Sequence, residues 1–335
     1  MNTNEKYIKR CLEIAKNGLA CAMPNPSVGA VIVHNDVIIG EGFTSTYGGN
    51  HAEVNAINAV KNKSLLDKST LYVSLEPCSH FGKTPPCCDL IIKNNIPNIV
   101  IGILDSNEKV AGNGIKKLID AGKNVTIGVL EKECYESNIR FFTFHQKKRP
   151  YIILKWAETQ NGFIAPSNRN EQKPVWITNE FSRQLVHKWR SEEQAVLVGT
   201  QTVIDDNPAL NVRDWSGKNP VRIVLDLHNR ISQESLIFDN HQKTIVITKN
   251  KINSQNNLAR EIADLLFIEN IQSVIIEGGA KTLQTFIDED LWDEARIFKG
   301  NKFFEEGIKV PIFNKKWHSS TRIVDDELLI FKNYD

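Results

Sequence analysis

Along residues 5–20 the apolar positions Ile8, Cys11, Leu12, Ala15 and Leu19 recur every three or four residues, which predicts a helix with one buried face. The runs 29–33 and 37–39 flank His34-Asn35-Asp36, the mark of a hairpin. The pattern then predicts a helix from Ala52 to about Val60, a strand over 71–75 and a helix over 88–93. A strand over 98–104, a helix over 115–121 and a strand over 125–130 follow. Helices that alternate with strands after an opening hairpin predict a mixed α/β sheet covered by helices.

Gln146-Lys147-Lys148-Arg149-Pro150 is basic and ends in proline, and the pattern restarts after it. The apolar runs 151–154, 195–198, 221–225, 244–248 and 273–276 are short and almost unbroken, as in strands buried on both faces. Helical stretches fall between several of them. Two α/β domains are therefore expected, over residues 1–146 and 150–335, with no internal repeat and no low-complexity tract. A chain of 335 residues is long enough for two cores.

Composition excludes more than it adds. Hydrophobic residues at 41% and charged residues at 24% suit a soluble globular enzyme. A net charge of +1 argues against a phosphate backbone as the main partner. No run approaches the roughly 20 apolar residues that cross a bilayer. The first residues lack the apolar core of a secretory signal, so the cytoplasm is the expected location. In such a chain the cysteines Cys11, Cys21, Cys78, Cys87, Cys88 and Cys134 are expected to be buried or to bind metal, not to form disulfides.

The candidate chemistry lies in His51-Ala52-Glu53, Glu76-Pro77-Cys78 and Cys87. One imidazole and two thiols are the ligand set of a catalytic zinc, which keeps a fourth position open for water. The set suits zinc best, with iron as the alternative. Cys78 and Cys87 are placed at a strand end and a helix start, and a helix N-terminus favours the thiolate that binds metal. Glu53 is left to carry protons, a role that typically contributes about 10²–10⁴-fold. The order follows the H-x-E…P-C-x-x-C signature of zinc deaminases, except that 79–86 make a longer insert than the usual two residues. Cys88 and His80 remain alternative ligands, and either completes a four-ligand structural site. Further along, Glu277-Gly278-Gly279 closes a strand and opens a helix, a geometry that suits a phosphate.

Pro24-Asn25-Pro26-Ser27-Val28-Gly29, His51-Ala52-Glu53-Val54 and Glu76-Pro77-Cys78-Ser79-His80-Phe81-Gly82-Lys83-Thr84-Pro85-Pro86-Cys87, read together, resemble the bifunctional deaminase–reductase family of riboflavin biosynthesis. Val110-Ala111-Gly112-Asn113-Gly114 adds to the likeness, which extends over nearly the whole chain and is sharpest before residue 130. It implies a cytidine-deaminase-like N-terminal domain and a dihydrofolate-reductase-like C-terminal domain. It further implies zinc-dependent deamination of a phosphoribosylated diaminopyrimidinone, then NADPH reduction of the ribosyl unit to ribityl, in a homo-oligomer. By matching position, Asn25 holds the pyrimidine and Lys83 meets the phosphate. Trp176, Thr202, Asp206, Gly279, Ala280, Lys281 and Thr282 fall on NADP-contacting positions. Lys155, Arg190, Leu210, Arg213 and Glu277 fall on substrate positions, where a guanidinium fork suits a phosphate.

The chain departs from the family pattern at several points. Thr159-Gln160-Asn161-Gly162 replaces Ser-Leu-Asp-Gly, Pro174 replaces a serine, and Phe298-Lys299-Gly300-Asn301-Lys302 replaces an Ala-Pro-Lys pattern. Glu158 stands where a small residue is expected beside the cofactor, so its carboxylate is expected to repel cofactor phosphates and weaken the reductase. The rival readings are a nucleic-acid or free-nucleoside deaminase, which needs a groove rich in cations and stacking aromatics, and a zinc-stabilised scaffold, in which Glu53 has no task.

Overall fold

Asn2 begins the first helix. Its side chain accepts from the Glu5 N–H at 2.9 Å, and the Glu5 carboxylate accepts from the Asn2 N–H at 3.0 Å, a reciprocal cap. The helix that follows, α1 (Thr3–Ala15), buries Tyr7, Ile8, Cys11, Ile14 and Ala15. Leu19, expected on the same helix, lies beyond its end. The computed structural model describes residues 2–105, 112–169, 171–252 and 257–333. Val110 and Ala111 of the quoted motif lie outside them. The chain divides into two units, Met1–Lys147 and Lys148–Asp335.

In the first unit the hairpin forms from β1 (Gly29–His34) and β2 (Val37–Phe43). After it come α2 (Ala52–Ala59), β3 (Thr70–Leu75), α3 (Cys87–Lys93), β4 (Asn98–Ile103), α4 (Asn113–Asp120) and β5 (Asn124–Ile127). The sheet order is β2-β1-β3-β4-β5, antiparallel on the hairpin side of β3 and parallel beyond it. Two helices close the unit, α5 (Glu131–Ser137) and α6 (Ile139–Lys147). The strand expected over 125–130 is cut short because Gly128 and Leu130 take positive φ, and Leu130 caps α5.

The second unit runs β6 (Tyr151–Glu158), β7 (Phe163–Pro166), α7 (Glu180–Glu192), β8 (Ala195–Gly199), α8 (Thr200–Asp206), β9 (Val221–Leu225) and β10 (Thr244–Ile247). It continues with α9 (Leu258–Ile268), β11 (Ser273–Ile276), α10 (Ala280–Asp288), β12 (Glu294–Lys299), β13 (Gly307–Lys309), β14 (Ser319–Ile323) and β15 (Asp326–Lys332). The eight-stranded sheet has the order β10-β9-β8-β11-β6-β12-β15-β14, parallel from β10 to β12 and antiparallel at β15 and β14. β7 and β13 pair separately. Strands β6, β8 and β11 are buried almost throughout, which is why they read as unbroken apolar runs. β12 and β14 carry no such run; β15 does, over 328–331, but none of the three is among the strands expected from the apolar pattern. Phe298 and Lys299 of the departing segment lie in β12.

Candidate metal centre and second cavity

His51 is the N-cap of α2, and Glu53 lies in its first turn. The helix packs directly on β2: a Cβ at Gly42 would stand 2.4 Å from the Ala56 nitrogen and 2.5 Å from the Ala52 oxygen. β3 leads into Glu76-Pro77-Cys78, and Cys87 opens α3. The three ligand-bearing atoms of His51, Cys78 and Cys87 lie within 4.8 Å of one another. His51 Nδ1 is 3.5 Å from Cys78 Sγ and 3.3 Å from Cys87 Sγ. Tetrahedral Zn–N and Zn–S bonds place such atoms about 3.5–3.8 Å apart, so the set fits zinc.

The Cys78 thiol is pulled down to about 4 by its hydrogen bond with Cys87, then by His51 and the Cys87 amide, against the effect of burial. The Cys87 amide donates to Cys78 Sγ at 3.4 Å, a helix-start contact to a thiolate. The Cys87 thiol is pushed up by its partner Cys78 and by burial, so the pair holds one thiolate readily. Buried Glu53 rises to about 7, through burial first and the neighbouring Cys78 second. Cys88, the alternative ligand, is excluded by direction: its Sγ donates to the Pro77 carbonyl at 3.2 Å. His80 lines the adjoining cavity without joining the cluster. That cavity is about 430 Å³, and Asn25, Tyr47, His51, Glu53, Cys78 and Lys83 line it. Lys83 Nζ sits 4.0 Å from the centre of the Tyr47 ring.

The second unit has a cavity of about 480 Å³ where β6, β8 and β11 give way to loops and helix starts. Lys155, Trp176, Thr202, Asp206, Leu210 and Arg213 line it, as do Arg190, Glu277, Gly279 and Ala280. Leu210 is buried there in the left-handed region at φ 49°, a strained conformation for a branched residue. Arg190 Nε and Nη2 donate to the two Glu277 oxygens at 2.9 and 2.8 Å. Lys155 Nζ lies 4.0 Å from Glu277. Burial drives the Glu277 carboxyl up, but Arg190 and Lys155 overcome it and hold it at about 2.

Four of the expected site residues stand apart from the cavity or are already engaged in this structure. The Arg190 fork is engaged by Glu277, so it does not offer paired hydrogen bonds to a phosphate. Lys281 and Thr282 do not line the cavity. Lys281 is exposed, and Thr282 packs beneath Gly199 and Gly278, where a Cβ would meet it at 2.6 and 2.7 Å. Glu158 does not line the cavity either: its carboxylate accepts from Trp156 Nε1 at 3.0 Å and lies 3.7 Å from Lys299. The reason for expecting a weakened reductase is thereby removed. Asp206 lines the cavity but is paired with Arg169.

The apolar pattern missed Arg183 and His187, which also line the second cavity. Arg183 stands 4.8 Å from the centre of the Trp176 ring, and Arg213 stands 6.0 Å from it. His187 lies 3.2 Å from Asp214, and its Nδ1 accepts from the Arg213 amide at 3.4 Å. Burial, Arg190 and Arg213 lower it to about 4. The available signal was spacing: positions 183, 187 and 190 fall on one face of α7.

Residues 1–103 match the family model of the cytidine and deoxycytidylate deaminase zinc-binding region, and residues 150–312 match that of the RibD C-terminal domain. The riboflavin biosynthesis protein RibD of Aquifex aeolicus is 38% identical over 323 residues, which cover 92% of this chain and 89% of that one. A crystal structure from Thermotoga maritima, described as a diaminohydroxyphosphoribosylaminopyrimidine deaminase/5-amino-6-(5-phosphoribosylamino)uracil reductase, aligns with a TM-score of 0.89 at 37% identity over 98% of both chains. Acinetobacter baumannii RibD aligns with a TM-score of 0.87 at 30% identity over 99% of both. The chain thus belongs to the RibD family, bifunctional proteins of riboflavin biosynthesis in which a zinc-dependent deaminase domain precedes an NADPH-dependent reductase domain.

Proposed function

We propose that the first domain, residues 1–146, replaces the 2-amino group of 2,5-diamino-6-(5-phosphoribosylamino)pyrimidin-4-one with oxygen, and that the second, residues 150–335, reduces the ribosyl unit of the product to ribityl. The observation that carries this reading is the convergence of His51, Cys78 and Cys87 beside buried Glu53 at the wall of a cavity sized for a small heterocycle. His51, Cys78 and Cys87 hold the zinc. When bound, zinc supplies the Lewis acidity that makes hydrolysis possible at neutral pH. Glu53 takes one proton from the hydrolytic water and passes it to the ring nitrogen as the C–O bond forms, then carries the remaining hydroxyl proton to the 2-amino nitrogen, so that the C–N bond breaks and ammonia leaves. Burial pushes the Glu53 carboxyl up, which favours its taking a proton. Asn25 orients the pyrimidine, and Lys83 at the cavity wall meets the phosphate.

In the second domain NADPH supplies the hydride. Trp176, Thr202, Asp206, Gly279 and Ala280 receive the cofactor, with its phosphates at the N-terminus of α10. Lys155, Leu210, Arg213 and Glu277 receive the substrate, with Arg190 fixing Glu277. A homo-oligomer in the cytoplasm extends the same family reading. Among the described residues no helix is long and apolar enough to cross a membrane.

The test is purified protein with the diaminopyrimidine phosphoriboside, with and without NADPH. Ammonia release without NADPH, followed by NADPH consumption on its addition, is the expected result. Ammonia released from RNA or free cytidine but not from this substrate overturns the reading.

A further inference from the structure

The motif that delivers Cys78 begins with a second carboxylate, and the proposed chemistry leaves it without a task. Glu76 is buried and lines the deaminase cavity. Its Oε2 accepts from the backbone N–H groups of Asp105 at 3.3 Å and Gly112 at 3.0 Å. Its Oε1 accepts from those of Gly114 at 3.0 Å and Ile115 at 3.4 Å. An ionised carboxylate has about four acceptor positions, and all are in use. Glu76 therefore has none to offer a metal or a substrate.

Three of the four donors, those of Gly112, Gly114 and Ile115, share a reason for needing it. α4 begins after Gly112, which sits at φ 76° and carries no side chain to cap the helix. The first amides of a helix have no acceptor within it. Glu76 supplies from another segment what a capping Ser or Asp ordinarily supplies, and its charge suits that helix end. Asp105 is seven residues earlier in the chain than Gly112 and itself lines the cavity. The contact is close: a Cβ on Gly114 would stand 2.2 Å from the Pro77 oxygen and 3.2 Å from Cys88 Sγ. Cys88 fastens the junction from below through its hydrogen bond to the Pro77 carbonyl.

We propose that Glu76 is a positioning residue of the deaminase, whose carboxylate holds Asp105 in the cavity wall and the start of α4 against Pro77, and so sets the affinity for the pyrimidine. The inference rests on the deaminase reading for its kinetic test, but not for its structural one. Glu76→Gln keeps the shape and turns one acceptor into a donor that faces N–H groups. With the full-length protein, zinc content, deaminase kcat and KM, and reductase rate are measured together.

The expected result is a rise in deaminase KM of about tenfold or more, the effect of one buried unpaired polar group. Zinc is retained, kcat falls less than KM rises, and the reductase rate is unchanged. Loss of zinc in step with activity, or an unchanged KM, overturns the proposal. A second measurement needs no variant. In the wild-type chain the amides of Asp105, Gly112, Gly114 and Ile115 should resist hydrogen exchange. Exchange at the rate of an unstructured peptide would sink the idea even if the protein proved active on a different substrate.

Discussion

In the first unit three donor atoms converge within 4.8 Å, Cys87 and His51 pull the Cys78 thiol well below its ordinary value, and burial pushes the neighbouring Glu53 carboxyl up to about 7. In the second, Lys155 and Arg190 already balance Glu277 inside the cavity wall, and Arg183 and Arg213 stand at the Trp176 ring. The first arrangement suits a dication because thiolates and a buried carboxyl favour the nearby charge. The second is balanced before anything binds, so its rim cations are the ones suited to an anionic ligand. One site is organised by a metal, the other by its own ion pairs.

The contrast can be broken most sharply by taking away the metal. Chelation, or Cys87→Ser, should abolish deamination and leave the reductase rate intact, whereas Cys88→Ser should retain zinc. Zinc analysis beside both assays reads this, and equal loss from the two serine variants would contradict the geometry. Next comes Glu53→Gln, with a fall in deaminase kcat of about 10²–10⁴-fold or more at unchanged zinc. Activity near wild type would leave Glu53 without the proton-transfer role.

In the second unit, Arg190→Ala takes both hydrogen bonds from the buried Glu277 carboxylate and leaves it only Lys155 at 4.0 Å, and about 3 kcal/mol of stability should be lost. All six tryptophans, from Trp156 to Trp317, belong to this unit, so denaturation followed by their fluorescence reports it alone. A midpoint like that of the wild type would mean the pair is not structural.

Acid should act on the same unit more gently. His187 is held at about 4, below its ordinary 6.5, so the unfolded chain takes up that proton first. Its contribution is complete above 6.5 and fades as pH falls towards 4. Glu277 is held at about 2, below 4.5, so its contribution is complete above 4.5 and is lost as pH falls through 2. Together they amount to a few kcal/mol at most, on the order set by linkage. Stability that stays flat from pH 7 to 4 would remove His187 from this account. The smallest effect is expected at Glu158→Ala, less than about twofold in KM for NADPH, because its carboxylate is paired outside the cavity. A large improvement in NADPH affinity would restore the repulsion.

The buried parallel strands and the helices between them were legible because a strand covered on both faces must be apolar throughout. β14 was not, since four of its five residues face solvent and nothing in its pattern marks an edge paired to β15. The helices α5 and α6 were missed where an expected strand ended early at Gly128 and Leu130, whose positive φ values are set by the turn.

The sequence alone placed a metal centre at His51 and Cys78 with Glu53 beside them and Cys87, Cys88 or His80 to complete it, because these residues stand at strand and helix ends in the order of a zinc deaminase. Tertiary structure decided which neighbour was the ligand: the direction of the α3 start points Cys87 inward and Cys88 to the Pro77 carbonyl. It also decided that Arg190 meets Glu277, and that Glu76 gathers amides 29 to 39 residues away. Periodicity says which face of an element is buried, but only the order and register of the sheet bring distant charges to one place.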